Sequence, residues 1–105
     1  MRKSDIGLIG LGTMGAMLAL NIADKGYQVS VFNRTISTTK SFAKDAGYLS
    51  NQIKPCETLA EFIGTIAKPR AIILMVPAGI VVDNQIAALT PLLEENDVII
   101  DAGNA

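Results

Sequence analysis

Short apolar runs alternate along the chain with longer segments in which apolar residues recur at helical spacing. The apolar runs predict strands at 6–9, 28–32, 71–76 and 98–100. Helical spacing predicts helices over 13–25, from 37 to 47, over 58–66 and from 82 to 93. This alternation is typical of βαβ units around a parallel sheet.

The predicted helix boundaries coincide with residues that start or stop helices. Gly26 ends the first helix, and Ser37 is the expected N-cap of the second. Pro69 breaks the third, and Pro91 marks a kink or boundary in the fourth. The least decided stretch is 48–54, for which the pattern suggests a short edge strand. Five strand candidates in all therefore predict one doubly wound α/β domain.

Composition narrows the possible functions. The chain has 105 residues, half of them hydrophobic, and a net charge of −1, which suits one packed domain without a basic surface for nucleic acid. No apolar run approaches the roughly 20 residues that span a bilayer, and no secretory signal is expected. Cys56 is the single cysteine and histidine is absent, so this chain cannot build a Cys/His zinc site or a Ser-His-Asp triad. A lone thiol predicts a reducing compartment, the cytoplasm.

A glycine-rich turn follows the first predicted strand. Gly10-Leu11-Gly12-Thr13-Met14-Gly15 fits the pattern G-x-G-x-x-G and opens the first predicted helix. Such glycines permit the tight turn, the approach of a pyrophosphate and close packing of helix on strand, while the helix N-terminus attracts phosphate. The sequence thus predicts a dinucleotide site in a Rossmann-like, three-layer αβα domain. The alternative is an ordinary turn without a ligand.

The segment "VFNRT" ends the second predicted strand. An acidic residue about 20 positions past the glycines holds the ribose 2′-hydroxyl of NAD in this kind of fold. Asn33 stands there instead, and an amide does not repel a 2′-phosphate. Arg34 offers donors to phosphate oxygens, and Thr35 adds a hydroxyl. The segment predicts NADP(H), with a solvated loop charge as the alternative for Arg34.

Four segments together resemble 6-phosphogluconate dehydrogenase, the decarboxylating NADP enzyme of the pentose phosphate pathway. "IGLIGLGTMG" is similar to the family's first strand and glycine turn, and "VFNRT" to its 2′-phosphate segment. "KPRAIILMVPAG" is similar to its fourth strand and the loop after it. "VDNQIAALTPLLEENDVIIDAGNA" is similar to the helix and strand that end in the family's D-G-G-N-S.

The resemblance implies cofactor contacts at three places in the chain. These are Gly10 to Gly15, then Asn33, Arg34 and Thr35, then the loop residues Val76, Pro77 and Ala78. It also implies that Asn104 faces both the nicotinamide and the substrate, with a plain turn residue as the alternative. Met14 would touch the nicotinamide, or else pack in the core.

Three positions depart from the family pattern. Pro77 stands where the family usually has a lysine, and Ala102 and Ala105 replace a glycine and a serine. These changes concern the substrate end of the site more than the cofactor end.

The resemblance also implies the reaction, which is oxidative decarboxylation of the sugar phosphate 6-phosphogluconate to ribulose 5-phosphate without a metal. The family's catalytic lysine and glutamate lie beyond residue 105, as does the helical domain that completes the substrate pocket and the homodimer. We therefore expect residues 1–105 to be one NADP-binding domain, an N-terminal portion without catalytic residues, whose open sheet edge favours self-association.

Two alternatives to this reading exist. A β-hydroxyacid dehydrogenase of the 3-hydroxyisobutyrate type shares the glycine turn but typically ends the fifth strand in D-S-S/T. A stand-alone NADP-binding or sensing module would need no catalytic residues.

Overall fold

The computed structural model of the chain describes residues 2–77 and 79–102. Its centre is a sheet of five strands, all parallel, in the order β3-β2-β1-β4-β5. The strands are β1 (Ile6–Ile9), β2 (Val29–Phe32), β3 (Ile53–Pro55), β4 (Ala71–Leu74) and β5 (Val98–Asp101). The order reverses between β1 and β4, which confirms the doubly wound sheet predicted from the sequence.

Four helices connect the strands and cover both faces of the sheet. They are α1 (Thr13–Asp24), α2 (Ile36–Asp45), α3 (Leu59–Gly64) and α4 (Ile80–Leu89), with 3₁₀ turns at Gly47–Gln52 and Thr90–Leu92. Side chains of α1 and α2 pack in one hydrophobic cluster, and those of α3 and α4 pack in another. The three-layer αβα arrangement is thereby confirmed.

Each inner strand sends alternate side chains into the two clusters. Leu8 of β1 packs with α1, whereas its neighbour Ile9 packs with Phe62 of α3. In β4, Ile72 belongs to the α3 side and Ile73 to the α1 side. A strand covered on both faces needs apolar residues at every position, so these segments read as continuous apolar runs.

Two boundary predictions need correction. Ser37 does not cap α2, because the helix already begins at Ile36 and Thr35 occupies the N-cap position. The carbonyl oxygen of Thr35 accepts hydrogen bonds from the N–H groups of Thr38 and Thr39, which starts the helix before Ser37. The predicted fourth helix is also too long, since α4 ends at Leu89.

The undecided stretch 48–54 contains mostly a 3₁₀ turn. Only its last residues enter β3, which is a short edge strand as suggested. Gly47, at a φ of +63°, begins the 3₁₀ turn, and α2 ends before it. Pro91 lies just past α4, so its role as a boundary is confirmed.

Strand β5 forms the other edge of the sheet. On the face shared with α1, Val98 is 54% exposed and Ile100 is 47% exposed. The expected self-association through this edge stays a prediction. No helix within the described residues is long and apolar enough to cross a membrane.

A group of buried hydroxyls lies between β2 and the end of α3. The Oγ atom of Ser30 is 2.6 Å from Oγ of Ser4 and 2.7 Å from Oγ1 of Thr65. Thr65 in turn donates to the carbonyl oxygen of Phe62. Nearby, Cys56 is buried, and burial raises the pKa of its thiol above the ordinary value.

An ion pair fastens the start of β4 to the start of β5. The guanidinium of Arg70 donates to the carboxylate of Asp97 at 2.9 Å, and both side chains are buried. The carbonyl oxygen of Arg70 also accepts a hydrogen bond from the N–H of Val98. The last two parallel strands therefore share one anchored corner.

Candidate functional site

A cleft of about 410 Å³ opens beyond the carboxyl ends of β1, β2 and β4. It lies where the strand order reverses, which is where ligands bind in open α/β sheets. Its walls come from the end of β1, the segment after β2, the segment after β4 and one face of α4. The lining residues are Ile9, Gly10, Asn33, Arg34, Thr35, Val76, Pro77, Val81, Asn84 and Gln85.

The glycine turn has the geometry that its motif predicts. Gly10 has a φ of +104°, and a Cβ atom there would overlap the carbonyl oxygen of Met75. A Cβ on Gly15 would overlap the carbonyl oxygen of Gly10, so helix and strand approach each other closely at this glycine. Gly12 differs, because a Cβ there would meet no atom within 4 Å. Its space lies on the solvent side of the turn, where a ligand has room.

The N-terminus of α1 suits an anion. No side chain caps the helix at Gly12, and its first turn contains no acidic residue. The leading N–H groups of a helix have no partner within the helix and carry a partial positive charge. The turn therefore presents donors to a phosphate with no carboxylate in that first turn to oppose it.

Asn33 links the end of β2 to the glycine turn. Its Oδ1 atom accepts a hydrogen bond of 2.9 Å from the N–H of Leu11, and its own N–H donates to Oγ1 of Thr39 at 3.1 Å. The Nδ2 group has only a long contact of 3.4 Å with the carbonyl oxygen of Thr35. The amide oxygen of Asn33 is thus bonded within the fold, while its Nδ2 group can still donate a hydrogen bond beside the cleft.

The charge of the cleft comes from Arg34. Among the described residues that line it, none is acidic, and Arg34 is the one that carries a charge. Arg34 and Thr35 are exposed, and the Arg34 side chain makes no hydrogen bond or ion pair with the rest of the described chain. Helix α2 begins next to them without an acid in its first turn. This corner of the cleft is therefore positive.

The opposite wall is mostly apolar and includes residues that the sequence did not single out. Val76 and Pro77 follow β4 as predicted, whereas Val81, Asn84 and Gln85 of α4 were not predicted. Their spacing of three and four residues was a usable signal, because it places them on one face of a helix that begins directly after the loop.

The structure brings together three of the predicted groups, namely Gly10, the segment from Asn33 to Thr35, and the pair Val76 and Pro77. Leu11 is buried, whereas Thr13 is exposed at the start of α1. Met14 is 55% exposed, so its alternative as a core residue is wrong. Ala78 and Asn104, both predicted to bind the cofactor, lie outside the described residues.

Similarity to known proteins identifies the family of this chain. Residues 5–105 match the sequence profile of a family described as the NAD binding domain of 6-phosphogluconate dehydrogenase. The chain is 47% identical over 103 residues to a decarboxylating 6-phosphogluconate dehydrogenase of Chlamydia trachomatis, with 98% of the chain covered. It is 48% identical over 103 residues to the enzyme of the same name from Bacillus licheniformis, again with 98% covered.

A solved structure shows the same arrangement of elements. The 6-phosphogluconate dehydrogenase of Plasmodium falciparum, studied in its apo form, with its cofactor NADP⁺ and with its substrate 6-phosphogluconate, superimposes with a TM-score of 0.87. It is 42% identical, and the match covers 96% of this chain and 22% of that one. The chain likewise spans about a fifth of the length of the two bacterial relatives, 21% and 22%.

Proposed function

The chain belongs to the family of NAD-binding domains of 6-phosphogluconate dehydrogenase, and we propose that it is the NADP(H)-binding unit of a decarboxylating enzyme of this kind. The observation that carries the proposal is the cleft at the end of β2, which holds Arg34 and no acidic lining residue among those described. A 2′-phosphate is attracted there, whereas a site for NAD places a carboxylate at this position.

The phosphates of the cofactor have proposed partners at the glycine turn and at the end of β2. The pyrophosphate lies over Gly12 against the N-terminus of α1, where the turn leaves open space. The 2′-phosphate lies between the guanidinium of Arg34, the hydroxyl of Thr35 and the Nδ2 group of Asn33. The leading N–H groups of α2, which begins at Ile36, are proposed as further donors to the 2′-phosphate. Ala78 and Asn104 are proposed as further contacts, the latter to both cofactor and substrate.

The proposed activity of the whole enzyme is oxidative decarboxylation of 6-phosphogluconate to ribulose 5-phosphate. The cofactor supplies the hydride acceptor, and the residues of this chain bind and orient it. We assign no catalytic acid or base to this chain. A homodimer is proposed for the whole protein, and the cytoplasm for its location, since the one cysteine is kept as a buried thiol.

Calorimetric titration with NADPH and with NADH tests the proposal. We expect the chain to bind NADPH at least about 10-fold more tightly, because charge-assisted hydrogen bonds contribute about 1.5–3 kcal/mol each. Arg34→Ala is expected to remove that preference while leaving NADH binding nearly unchanged.

Lys25→Ala is the matched control, since it also removes one exposed positive charge. Lys25 caps the far end of α1, about 18 Å from the glycine turn for a helix of 12 residues. The control should keep the NADPH preference. Equal affinity of the unmodified chain for both cofactors would contradict the proposed NADP specificity, and an absence of saturable binding would contradict the cofactor site itself.

A further inference from the structure

A buried hydroxyl of α2 holds the segment that follows β2. Strand β2 ends at Phe32, and the N–H of the next residue, Asn33, donates to Oγ1 of Thr39 at 3.1 Å. Of the ten residues of α2, all of which the structure describes, Thr39 is the one that is buried, at 1% exposure. The most buried side chain of this helix is therefore polar, and its hydroxyl bonds to the segment that carries Arg34.

Asn33 is the point at which three parts of the fold meet. Its backbone N–H bonds to Thr39 of α2, and its Oδ1 atom accepts a hydrogen bond of 2.9 Å from the N–H of Leu11 in the glycine turn. Its Nδ2 group makes a long contact of 3.4 Å with the carbonyl oxygen of Thr35. The bond to Thr39 closes the segment 33–39 on itself, so the hydroxyl of Thr39 restricts the backbone at Asn33 and at the residues just after it.

The reach of Arg34 depends on that backbone. Its side chain is exposed and makes no hydrogen bond or ion pair with the rest of the described chain. The backbone at 33–35 therefore determines which positions in the cleft the guanidinium can occupy. A donor that is held in place before a ligand arrives loses less conformational freedom on binding, so it contributes more affinity. A bond that fixes Asn33 should therefore strengthen the binding of whatever anion Arg34 contacts.

We propose that Thr39 is a positioning residue for the 2′-phosphate of NADP(H), whose hydroxyl holds Asn33 and, through it, Arg34 and Thr35. This inference rests on the proposed function, which places the 2′-phosphate at Arg34. Thr39 is buried and does not line the cleft, so it acts on the cofactor only through its neighbours. A role limited to stability would change the binding of NADPH and NADH alike, whereas a positioning role changes the ratio of the two affinities.

Titration calorimetry of Thr39→Val and Thr39→Ser with NADPH and with NADH tests the proposal. Thr39→Val keeps the shape of the side chain but removes the acceptor for the N–H of Asn33. It should reduce the preference for NADPH by about 5-fold, which is within the contribution of one neutral hydrogen bond, and leave NADH affinity nearly unchanged. Thr39→Ser retains the hydroxyl and should retain the preference. In an Arg34→Ala background, Thr39→Val should not change the ratio further, because the side chain that it positions is gone.

Thr65→Val is the matched control, since it removes a hydroxyl that bonds to Ser30 and to the carbonyl oxygen of Phe62, outside the cleft. It should keep the preference for NADPH. If the preference survives in Thr39→Val, or if Thr65→Val reduces it equally, the role of Thr39 is overturned while the cofactor site stands. Equal affinity of the unmodified chain for both cofactors contradicts the proposed function instead.

Amide hydrogen exchange of the unmodified chain decides the matter if Thr39→Val does not fold. The N–H of Asn33 should exchange slowly, because its acceptor is buried, and NADPH should slow the exchange more than NADH does. Fast exchange of this N–H, or equal slowing by the two cofactors, would overturn the positioning role.

Discussion

The side-chain oxygen Oδ1 of Asn33 accepts a hydrogen bond of 2.9 Å from the backbone N–H of Leu11. This bond joins the end of β2 to the glycine turn, two segments that belong to different parts of the proposed cofactor site. Leu11 is buried at 6% exposure, so its N–H has little access to water. Asn33 therefore stabilises the shape of the cleft, and it also avoids a negative charge at the proposed 2′-phosphate position.

Two substitutions separate these two roles of Asn33. Asn33→Asp keeps an acceptor for the N–H of Leu11, so the free energy of unfolding should stay within about 0.5 kcal/mol of the original. The added carboxylate repels a 2′-phosphate, so the preference for NADPH should fall at least about 10-fold. Urea denaturation and titration with both cofactors measure the two effects.

Asn33→Leu is the complementary variant, since it removes the acceptor without adding a charge. It leaves the N–H of Leu11 unpaired and should lower the free energy of unfolding by about 1–3 kcal/mol. A stable Asn33→Leu variant would show that the bond to Leu11 does not hold the turn.

The glycine turn offers a pair of alanine substitutions, of which one should lower stability and the other should weaken NADPH binding. In Gly15→Ala, the new Cβ meets the carbonyl oxygen of Gly10, a backbone atom that cannot rotate away, so the free energy of unfolding should fall by about 1–3 kcal/mol. In Gly12→Ala, the Cβ enters open space and stability should hardly change. That space is the proposed pyrophosphate position, so Gly12→Ala should weaken NADPH binding. Full NADPH affinity in Gly12→Ala would place the pyrophosphate elsewhere.

The stability of the chain should depend on the three hydroxyls of Ser4, Ser30 and Thr65 that hydrogen-bond to one another beside β2. Ser30→Ala leaves Ser4, which is fully buried, without its 2.6 Å partner. We expect a loss of about 1–3 kcal/mol in the free energy of unfolding, measured by urea denaturation. Ser41→Ala is the control, because Ser41 is exposed on α2 and should change stability by less than about 0.5 kcal/mol. Equal effects of the two substitutions would contradict a stabilising role for the group.

The corner of Arg70 and Asp97 predicts how stability depends on pH. Hydrogen bonds from the backbone N–H of Arg70, from that of Glu94 and from the Arg70 guanidinium hold the pKa of the Asp97 carboxyl below its ordinary value of 3.8. A carboxyl with a lowered folded-state pKa binds protons more readily when unfolded, so its stabilising effect is complete above the unfolded pKa. The effect is lost as the pH falls through the lower, folded-state value.

Asp97→Asn should therefore be less stable than the original chain at neutral pH, and the difference should shrink below about pH 4. Chemical denaturation at several pH values from neutral to strongly acidic measures this. Asp45→Asn provides a comparison, since Asp45 is exposed and makes no hydrogen bond or ion pair with other described residues. A stability difference for Asp97→Asn that is the same at every pH would contradict the linkage.

Local patterns along the sequence are enough to predict most of this fold. The apolar run of β1, the glycines after it and the helical spacing of α1 all follow rules that act over a few residues, and each was predicted. The position of Asn33 and Arg34 at the cleft was predictable because their distance from the glycine turn is set by one βαβ unit.

The remainder depends on contacts between distant parts of the chain. Ser37 has the chemistry of an N-cap, but bonds to the carbonyl of Thr35 start α2 earlier. The bond from Leu11 to Asn33 and the unpaired oxygen of Gln85 appear only once β2, the glycine turn and α4 are placed in space. Sequence patterns identify the segments of the site, and tertiary packing determines which donors and acceptors of each side chain are already bonded within the fold.

The single thiol of Cys56 gives this domain an internal probe of its own opening. Cys56 lies in the segment between β3 and α3 and is 1% exposed. Burial raises the pKa of its thiol above the ordinary value, so the thiol is protonated at neutral pH. A thiol reagent can therefore modify it only in molecules in which the structure around it, including the edge strand β3 and helix α3, has transiently opened. The modification rate reports how often that opening occurs, and a slower rate in the presence of a ligand would measure how strongly an occupied cleft stabilises the domain against it.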